Sequence, residues 1–224
     1  MRGNEGARVV LSPIATPLPL TFIGLLLASA LISGLELGWI PKAESQQTGW
    51  VLIAVPIPLQ LIAAVFGFLG RSATAATGAS TLAAVWLGIA LDMINAPPGG
   101  QIPDGPVALI SIAAGTALLV PALADGIGGS LLPAATLSLA GVRFVLTGAA
   151  ARARDITWVH VSGIVGIGVA ALALYTAIAL EIEEATQAKL FPTFRRGQAA
   201  AALTASLDVQ FETLEHEAGV RRNL

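Results

Sequence analysis

Six runs of apolar residues, each long enough to cross a lipid bilayer, constrain this sequence more than any other feature. A transmembrane helix needs about 20 predominantly apolar residues. The runs cover residues 18–37, 51–69, 73–93, 107–123, 131–149 and 159–182. Because the bilayer interior offers no water to pair with backbone N–H and C=O groups, segments that cross it are helical or form closed barrels. The lengths favour helices, and the sequence therefore predicts an all-α integral membrane protein built as a six-transmembrane-helix bundle.

The composition argues against most soluble classes of protein. Hydrophobic residues fill 55% of the 224 positions and charged residues 12%, whereas soluble domains carry about 25% charged residues. A formal net charge of −2, without a basic patch among aromatic residues, gives no case for nucleic acid. Cysteine is absent and the two histidines lie far apart, so we expect no metal site and no cofactor. No known catalytic motif is visible, and we expect no enzyme activity.

The charged loops predict the topology. An even number of spans places both termini on one side of the membrane. With the termini inside, six Lys or Arg residues lie in the inner segments within about 20 residues of a span, and three lie in the outer loops, which favours cytoplasmic termini. The first span resembles a signal peptide with an Ala-x-Ala site, but its apolar run continues past that site, so we expect it to be retained. The expected organisation is a cytoplasmic segment at 1–17, a transmembrane domain at 18–184 and a cytoplasmic tail at 185–224.

The chain becomes polar after the last span. In the tail, Leu203, Leu207, Phe211 and Leu214 recur at three- and four-residue steps, which predicts a cytoplasmic amphipathic helix. Three placements are open for this helix: against its own bundle, against the tail of another subunit, or on the membrane surface. The acidic residues of the tail disfavour the membrane surface.

The last span carries residues that a simple membrane anchor does not need. It begins at His160, has Gly163, Gly166 and Gly168 on its early turns, and contains Tyr175. Glycines let a neighbouring helix backbone approach closely. The histidine is either a proton carrier or anion contact, or an interfacial residue hydrogen-bonded to a neighbouring helix. The pattern indicates a helix inside a bundle, beside a polar path.

In order and spacing, these spans resemble the acetate uptake transporter family, which includes the bacterial succinate–acetate permeases. That family begins its first helix with Asn-Pro-Ala-Pro-Leu-Gly, and the matching stretch here is Thr16-Pro17-Leu18-Pro19-Leu20-Thr21. The matching residues of the second and third spans are Gln60, Thr77, Trp86 and Leu87. Those of the sixth span and the segment after it are His160, Gly163, Gly166, Ala171, Ala173, Tyr175, Ala177, Glu184 and Pro192.

The resemblance implies a six-helix bundle, usually assembled as a hexamer, with a path for small carboxylates through each protomer. On the family pattern, the residues along that path are Thr16, Pro17, Pro19, Leu20, Gln60, Ser72, His160 and Tyr175. The family narrows its path with aromatic residues on the first and third helices. The corresponding positions here are Leu25 and Leu82, which predicts a dry, hydrophobic constriction. Gln60 lies mid-span, and it either lines the path or joins two helices.

Three charged residues lie within the outer halves of the spans. Arg143 is well inside the fifth span, where the family does not suggest a cation, and Glu36 and Asp92 lie near the same level. Three interpretations are open for this arginine. It forms a structural ion pair, such as one with Asp92; it extends to the outer headgroups; or it attracts a carboxylate.

Taken together, the residues and the resemblance lead us to expect a multi-pass transporter or channel of the plasma membrane. The expected solute is a small monocarboxylate such as acetate, with or without coupled protons, and the expected partners are the lipid bilayer and further copies of the chain. Two other functions stay open. One is a channel for a neutral solute such as ammonia or a protonated acid, which the apolar constriction favours. The other is a membrane scaffold subunit that transports nothing.

Overall fold

The computed structural model describes residues 15–96, 105–153, 155–186, 190–197 and 199–200. Its helices are α1 (Leu18–Glu36), α2 (Ser45–Ala54), α3 (Pro56–Leu69), α4 (Ala73–Asn95), α5 (Pro106–Ala117), α6 (Leu119–Ile127), α7 (Leu131–Ala153) and α8 (Ile156–Thr186). They make six candidate membrane spans, because α2 continues into α3 and α5 into α6. The predicted all-α bundle of six spans is confirmed. The predicted amphipathic helix of the tail lies almost entirely outside the described residues.

Two of the six spans are broken midway, and proline explains both breaks. A proline has no N–H to donate to the carbonyl four residues earlier. In the second span, Pro58 leaves the carbonyl of Ala54 without that donor, and α2 ends at Ala54. In the fourth span, Pro121 likewise leaves the carbonyl of Ala117 without a donor, and Ala117 is the last residue of α5. Both breaks fall inside apolar runs that hydrophobicity alone predicts as unbroken.

The six spans pack as a ring that follows the order of the chain. α1 contacts α3 on one side and α8 on the other; α8 contacts α7, α7 contacts α5 and α6, and α4 contacts both of these and also α2 and α3. The first span begins, and the last span finishes, on the same side of the bundle. There the backbone N–H of Thr16 donates to Oε1 of Glu184 at 3.2 Å. We call this end the termini side and the other end the opposite side.

The close contact between α1 and α8 depends on glycines of α8. A Cβ atom on Gly163 would lie 2.8 Å from Cγ of Leu37, and one on Gly166 would overlap Ser33 and Arg143. Around Gly168, the described residues place no heavy atom within 4 Å of such a Cβ. Gly163 and Gly166 are therefore close-packing positions on the face of α8 that meets α1, whereas Gly168 faces away from it.

The centre of the ring is filled by one hydrophobic cluster. Phe22, Leu25, Leu82, Trp86 and Phe144 are all fully buried in it. The ring centroids of Trp86 and Phe144 lie 4.7 Å apart. The interior of the ring is thus packed with side chains contributed by α1, α4 and α7.

The outside of the ring is apolar, as a membrane requires. Leu109 and Val120 are about 70% exposed. In a soluble protein, such outward-facing positions are mostly polar. Trp39 and Trp158 are exposed near helix ends on the opposite side, where an indole favours the membrane interface. Trp50 is also exposed, but it lies within α2, because that helix begins before the predicted start of the span at residue 51.

Candidate functional site

The start of α1 lies on the termini side, and its proline pair is buried there. Pro17 and Pro19 are buried, Leu20 is half-buried and Thr16 is exposed. The carbonyl of Pro17 accepts hydrogen bonds from both the backbone N–H and the hydroxyl of Thr21, each at 3.1 Å. That carbonyl is already engaged, so a solute would have to compete for it.

Gln60 is the most telling polar residue of the interior. It lies in α3, it is fully buried, and within the described residues neither its Oε1 nor its Nε2 has a hydrogen-bond partner. Its side chain fits against Gly24 of α1, where an added Cβ would lie 2.5 Å from the Gln60 Cγ. A buried amide left unpaired costs about 1–3 kcal/mol. Both interpretations of Gln60, lining a path or joining two helices, stay predictions.

Leu25 and Leu82 both belong to the central hydrophobic cluster. Leu25 follows Gly24 in α1, and both leucines are fully buried. Phe22, one turn before Leu25 in α1, belongs to the same cluster. An aromatic ring therefore lies in the cluster even though positions 25 and 82 are leucines. Sequence comparison of the constriction positions alone overlooked Phe22, although its three-residue spacing from Leu25 was visible.

Arg143 is fully buried where α7 meets α1 and α8, and it forms an ion pair. Its Nη2 donates to Oε2 of Glu36 at 3.2 Å and, more weakly, to the hydroxyl of Ser33 at 3.4 Å. The Ser162 hydroxyl donates to the other oxygen of Glu36 at 3.1 Å. The ion pair suggested between Arg143 and Asp92 is therefore wrong in its partner, because Glu36 on the facing side of α1 holds the guanidinium. Full burial also excludes extension to the headgroups.

Several buried polar atoms near this pair are unpaired. Within the described part of the chain, Nε and Nη1 of Arg143, Nε1 of Trp86 and Oγ of Ser29 have no hydrogen-bond partner. The guanidinium carbon of Arg143 lies 5.4 Å from the centroid of the Trp86 ring. The unpaired hydroxyl of Ser29 and the unpaired indole N–H of Trp86 were not predicted, since nothing in a pattern of apolar residues shows which donors stay unpaired.

Comparison with known proteins adds the fold. Neither a protein-family model nor a curated protein matches this sequence. Among solved structures, that of the bacterial acetate channel SatP matches with a TM-score of 0.64 at 16% sequence identity, over 80% of this chain and 98% of that chain. This chain has the fold of that channel. The resemblance inferred from the spans is confirmed at the level of fold, for a multi-pass membrane protein.

Three of the predicted path residues lie away from the centre of this fold. His160 is exposed near the start of α8 on the opposite side, and Ser72 is half-buried before α4 on the termini side. Tyr175 is half-buried on α8, and its hydroxyl donates to the carbonyl of Pro192 at 2.9 Å. Tyr175 thus anchors the segment after α8. The structure brings together Gln60 and Leu25 in the interior, but not these three.

The segment after α8 folds back on the termini side. We call residues 190–197 the strap. Arg195 forms a 2.7 Å ion pair with Glu183, and the Thr193 hydroxyl donates to the same carboxylate at 2.9 Å. The backbone N–H of Arg196 donates to the carbonyl of Gly129, in the turn between α6 and α7, at 2.9 Å. The strap therefore joins the ends of α6, α7 and α8.

Proposed function

We propose that this chain conducts a small monocarboxylate, most simply acetate, across the plasma membrane through the interior of the ring. The observation that carries the proposal is the Gln60 amide, fully buried and unpaired among the described residues, in the fold of an acetate channel. An unpaired amide inside a membrane protein is costly, so it indicates a ligand or a water that comes and goes.

Two interior features would act on the solute in turn. The Gln60 N–H group would donate to a carboxylate oxygen, replacing part of the water that the solute loses. Leu25 and Leu82 would form the constriction, where a narrow hydrocarbon surface excludes a continuous water column. The path would have two mouths. His160 would lie at the mouth on the opposite side. The mouth on the termini side would be formed by Ser72 and the start of α1, with Thr16, Pro17, Pro19 and Leu20.

The wider organisation is also part of the proposal. Each chain would form one path within a homo-oligomer, a hexamer on the family pattern, with protons coupled to the solute or not. Both termini would lie in the cytoplasm, on the positive-inside bias of the loops. The segment 1–17 and the tail 185–224 would flank the transmembrane domain there. No catalytic role is assigned to any residue.

A second candidate function has one observation in its favour. Both leucines of the constriction carry hydrocarbon only, and neither offers a hydroxyl to an anion. Such a constriction suits a neutral solute, such as ammonia or a protonated acid, since a charge loses more hydration energy on entering it.

Flux of labelled acetate into liposomes that contain the purified protein tests the proposal. Acetate entry that follows an imposed membrane potential supports conduction of the anion. Entry that follows only the concentration of the protonated acid, or of ammonia, supports the neutral-solute function. Entry no faster than into empty liposomes, for any small solute, would leave the scaffold function.

A matched pair of variants links that flux to the site. Gln60→Leu removes the buried amide, and Gln47→Leu makes the same change at an exposed position of α2. We expect Gln60→Leu to lower acetate flux at least tenfold, and Gln47→Leu to leave it unchanged. Equal flux in both variants would remove Gln60 from the path.

A further inference from the structure

A second set of buried donors lies past the constriction, toward the opposite side. It comprises Ser29 on α1, Trp86 on α4 and Arg143 on α7, all fully buried. Their unpaired atoms among the described residues are Oγ of Ser29, Nε1 of Trp86, and Nε and Nη1 of Arg143. Three helices thus each contribute an unpaired donor to one region of the interior.

Helix geometry places these donors next to the constriction. Ser29 follows Leu25 by one turn of α1, and Trp86 follows Leu82 by one turn of α4, a rise of about 6 Å in each case. Both helices run from the termini side to the opposite side. The Arg143 guanidinium reaches this layer from α7, since it lies 5.4 Å from the centroid of the Trp86 ring. It also contacts Ser33, one turn beyond Ser29.

The ion pair leaves much of the guanidinium unused. A guanidinium has five N–H donors, and the bonds to Glu36 and Ser33 both use Nη2. The unpaired nitrogens Nε and Nη1 lie on different edges of the planar guanidinium, so they do not offer a parallel pair of N–H groups. Nη1 would donate a single hydrogen bond to a carboxylate oxygen, whereas Nε faces Gly166 of α8. The indole N–H and the serine hydroxyl would add neutral donors on the constriction side of such a ligand.

We propose that Ser29, Trp86 and Arg143 form a binding position for a small carboxylate, immediately beyond the Leu25–Leu82 constriction. The proposal rests on the proposed function for the route by which the ligand arrives, but the position is defined by its own unpaired donors. It would be a second stop for the solute after Gln60.

The charge of Glu36 would lower the affinity of this position for a carboxylate. Its carboxylate already balances the charge of Arg143, and it would repel a second carboxylate at the same guanidinium. The groups that face Glu36 are Arg143 from α7, Ser162 from α8 and Ser33 from its own helix. Other titratable residues on elements packed against α1 are the exposed His160 of α8 and the half-buried Asp92 of α4. Removing the Glu36 charge should therefore strengthen carboxylate binding.

Fluorescence of Trp86 reports ligand binding directly. The chain has four tryptophans, so replacing Trp39, Trp50 and Trp158 by Phe leaves Trp86 as the single indole. Titration of this protein with acetate should change its emission saturably, and titration with the neutral isostere acetamide should not. We expect Ser29→Ala to raise the apparent Kd for acetate at least threefold, and Glu36→Gln to lower it by a similar factor. A purely structural ion pair would not tighten binding when its acid is neutralised.

Flux provides a second readout with a matched control. Trp86→Phe keeps a ring beside Phe144 and Arg143 but removes the N–H, and Trp158→Phe makes the same change at an exposed indole. Trp86→Phe should raise the half-saturation concentration of acetate flux, and Trp158→Phe should not.

The outcomes separate this proposal from the proposed function. A saturable Trp86 response in a protein that carries no acetate supports the binding position and overturns the proposed function. Acetate flux without any Trp86 response, or with Ser29→Ala and Glu36→Gln unchanged, overturns the binding position alone. In that case water satisfies the unpaired donors.

Discussion

At the scale of single residues, the Arg143–Glu36 pair is the most demanding arrangement in the molecule. A charged side chain inside a membrane must be balanced and hydrogen-bonded to be kept there. Glu36 balances Arg143 at 3.2 Å, and the Ser162 hydroxyl supports the same carboxylate. Thr147 extends the network, since its hydroxyl lies 2.8 Å from that of Ser162. The pair thus ties α1, α7 and α8 together.

Removing one partner of this pair should be costly. Arg143→Leu leaves Glu36 buried without a counter-charge, and we expect a loss of about 3–5 kcal/mol in the free energy of unfolding. The double variant with Glu36→Leu should recover much of that loss, because no charge stays unbalanced. Denaturant titration of the protein in detergent measures both.

Arg152→Leu is the control for that series, because Arg152 is exposed near the end of α7. It should change stability by less than about 0.5 kcal/mol. An Arg143→Leu protein as stable as the Arg152→Leu protein would show that the ion pair contributes nothing to the fold.

At the scale of elements, α8 shows how the packing of two helices depends on single glycines. It contacts α1 and α7, and its glycines set the distance to α1. The sequence predicted this helix as a bundle member from its glycines, and the structure confirms that prediction. Which glycine faces a neighbour depends on the rotation of the helix about its axis, and sequence spacing does not fix that rotation.

Two alanine substitutions on α8 should have opposite effects. A Cβ on Gly166 would overlap Arg143 and Ser33, so Gly166→Ala should destabilise the protein by about 1–3 kcal/mol. Gly168→Ala adds a methyl group where the described residues leave open space. It should be neutral or stabilising by up to about 1 kcal/mol, because glycine is the weaker helix former. Equal stability losses in the two variants would contradict the observed rotation of α8.

The strap is a second element whose contacts are testable. Glu183 holds both Arg195 and Thr193, so Glu183→Gln should loosen the strap from α8. We expect trypsin to cleave after Arg195 or Arg196 several-fold faster in this variant. Glu181→Gln, two residues earlier at an exposed position of the same helix, should be cleaved at the wild-type rate. Unchanged cleavage of Glu183→Gln would show that the ion pair does not hold the strap.

At the scale of the whole molecule, the sequence predicted much of the fold and less of the interior. Apolar runs fix the number of spans, since length and hydrophobicity decide whether a segment crosses a bilayer. They do not fix which buried polar groups meet. The partner of Arg143 lies 107 residues away, and the strap bonds to the turn between α6 and α7. Both contacts depend on how the spans are rotated and packed. Gln60 was identified, but its unpaired state emerges only from the packed bundle.

The ring of spans places Leu25 and Leu82 in a packed centre, and the buried Gln60 side chain packs against Gly24, the residue before Leu25. Leu82→Ala would shorten one side of the constriction and should raise the rate of acetate entry. Leu82→Trp would fill the constriction and should lower it. Both rates are measured against protein content in the same liposomes, so that expression does not enter the comparison.

Acetate entry into liposomes, measured side by side for the wild type and Leu82→Trp under an imposed membrane potential, tests the central claim most directly. Entry into wild-type liposomes should exceed entry into empty liposomes, and Leu82→Trp should lower it at least tenfold. Wild-type entry at the rate of empty liposomes, or equal entry through both proteins, would contradict a carboxylate path through this ring.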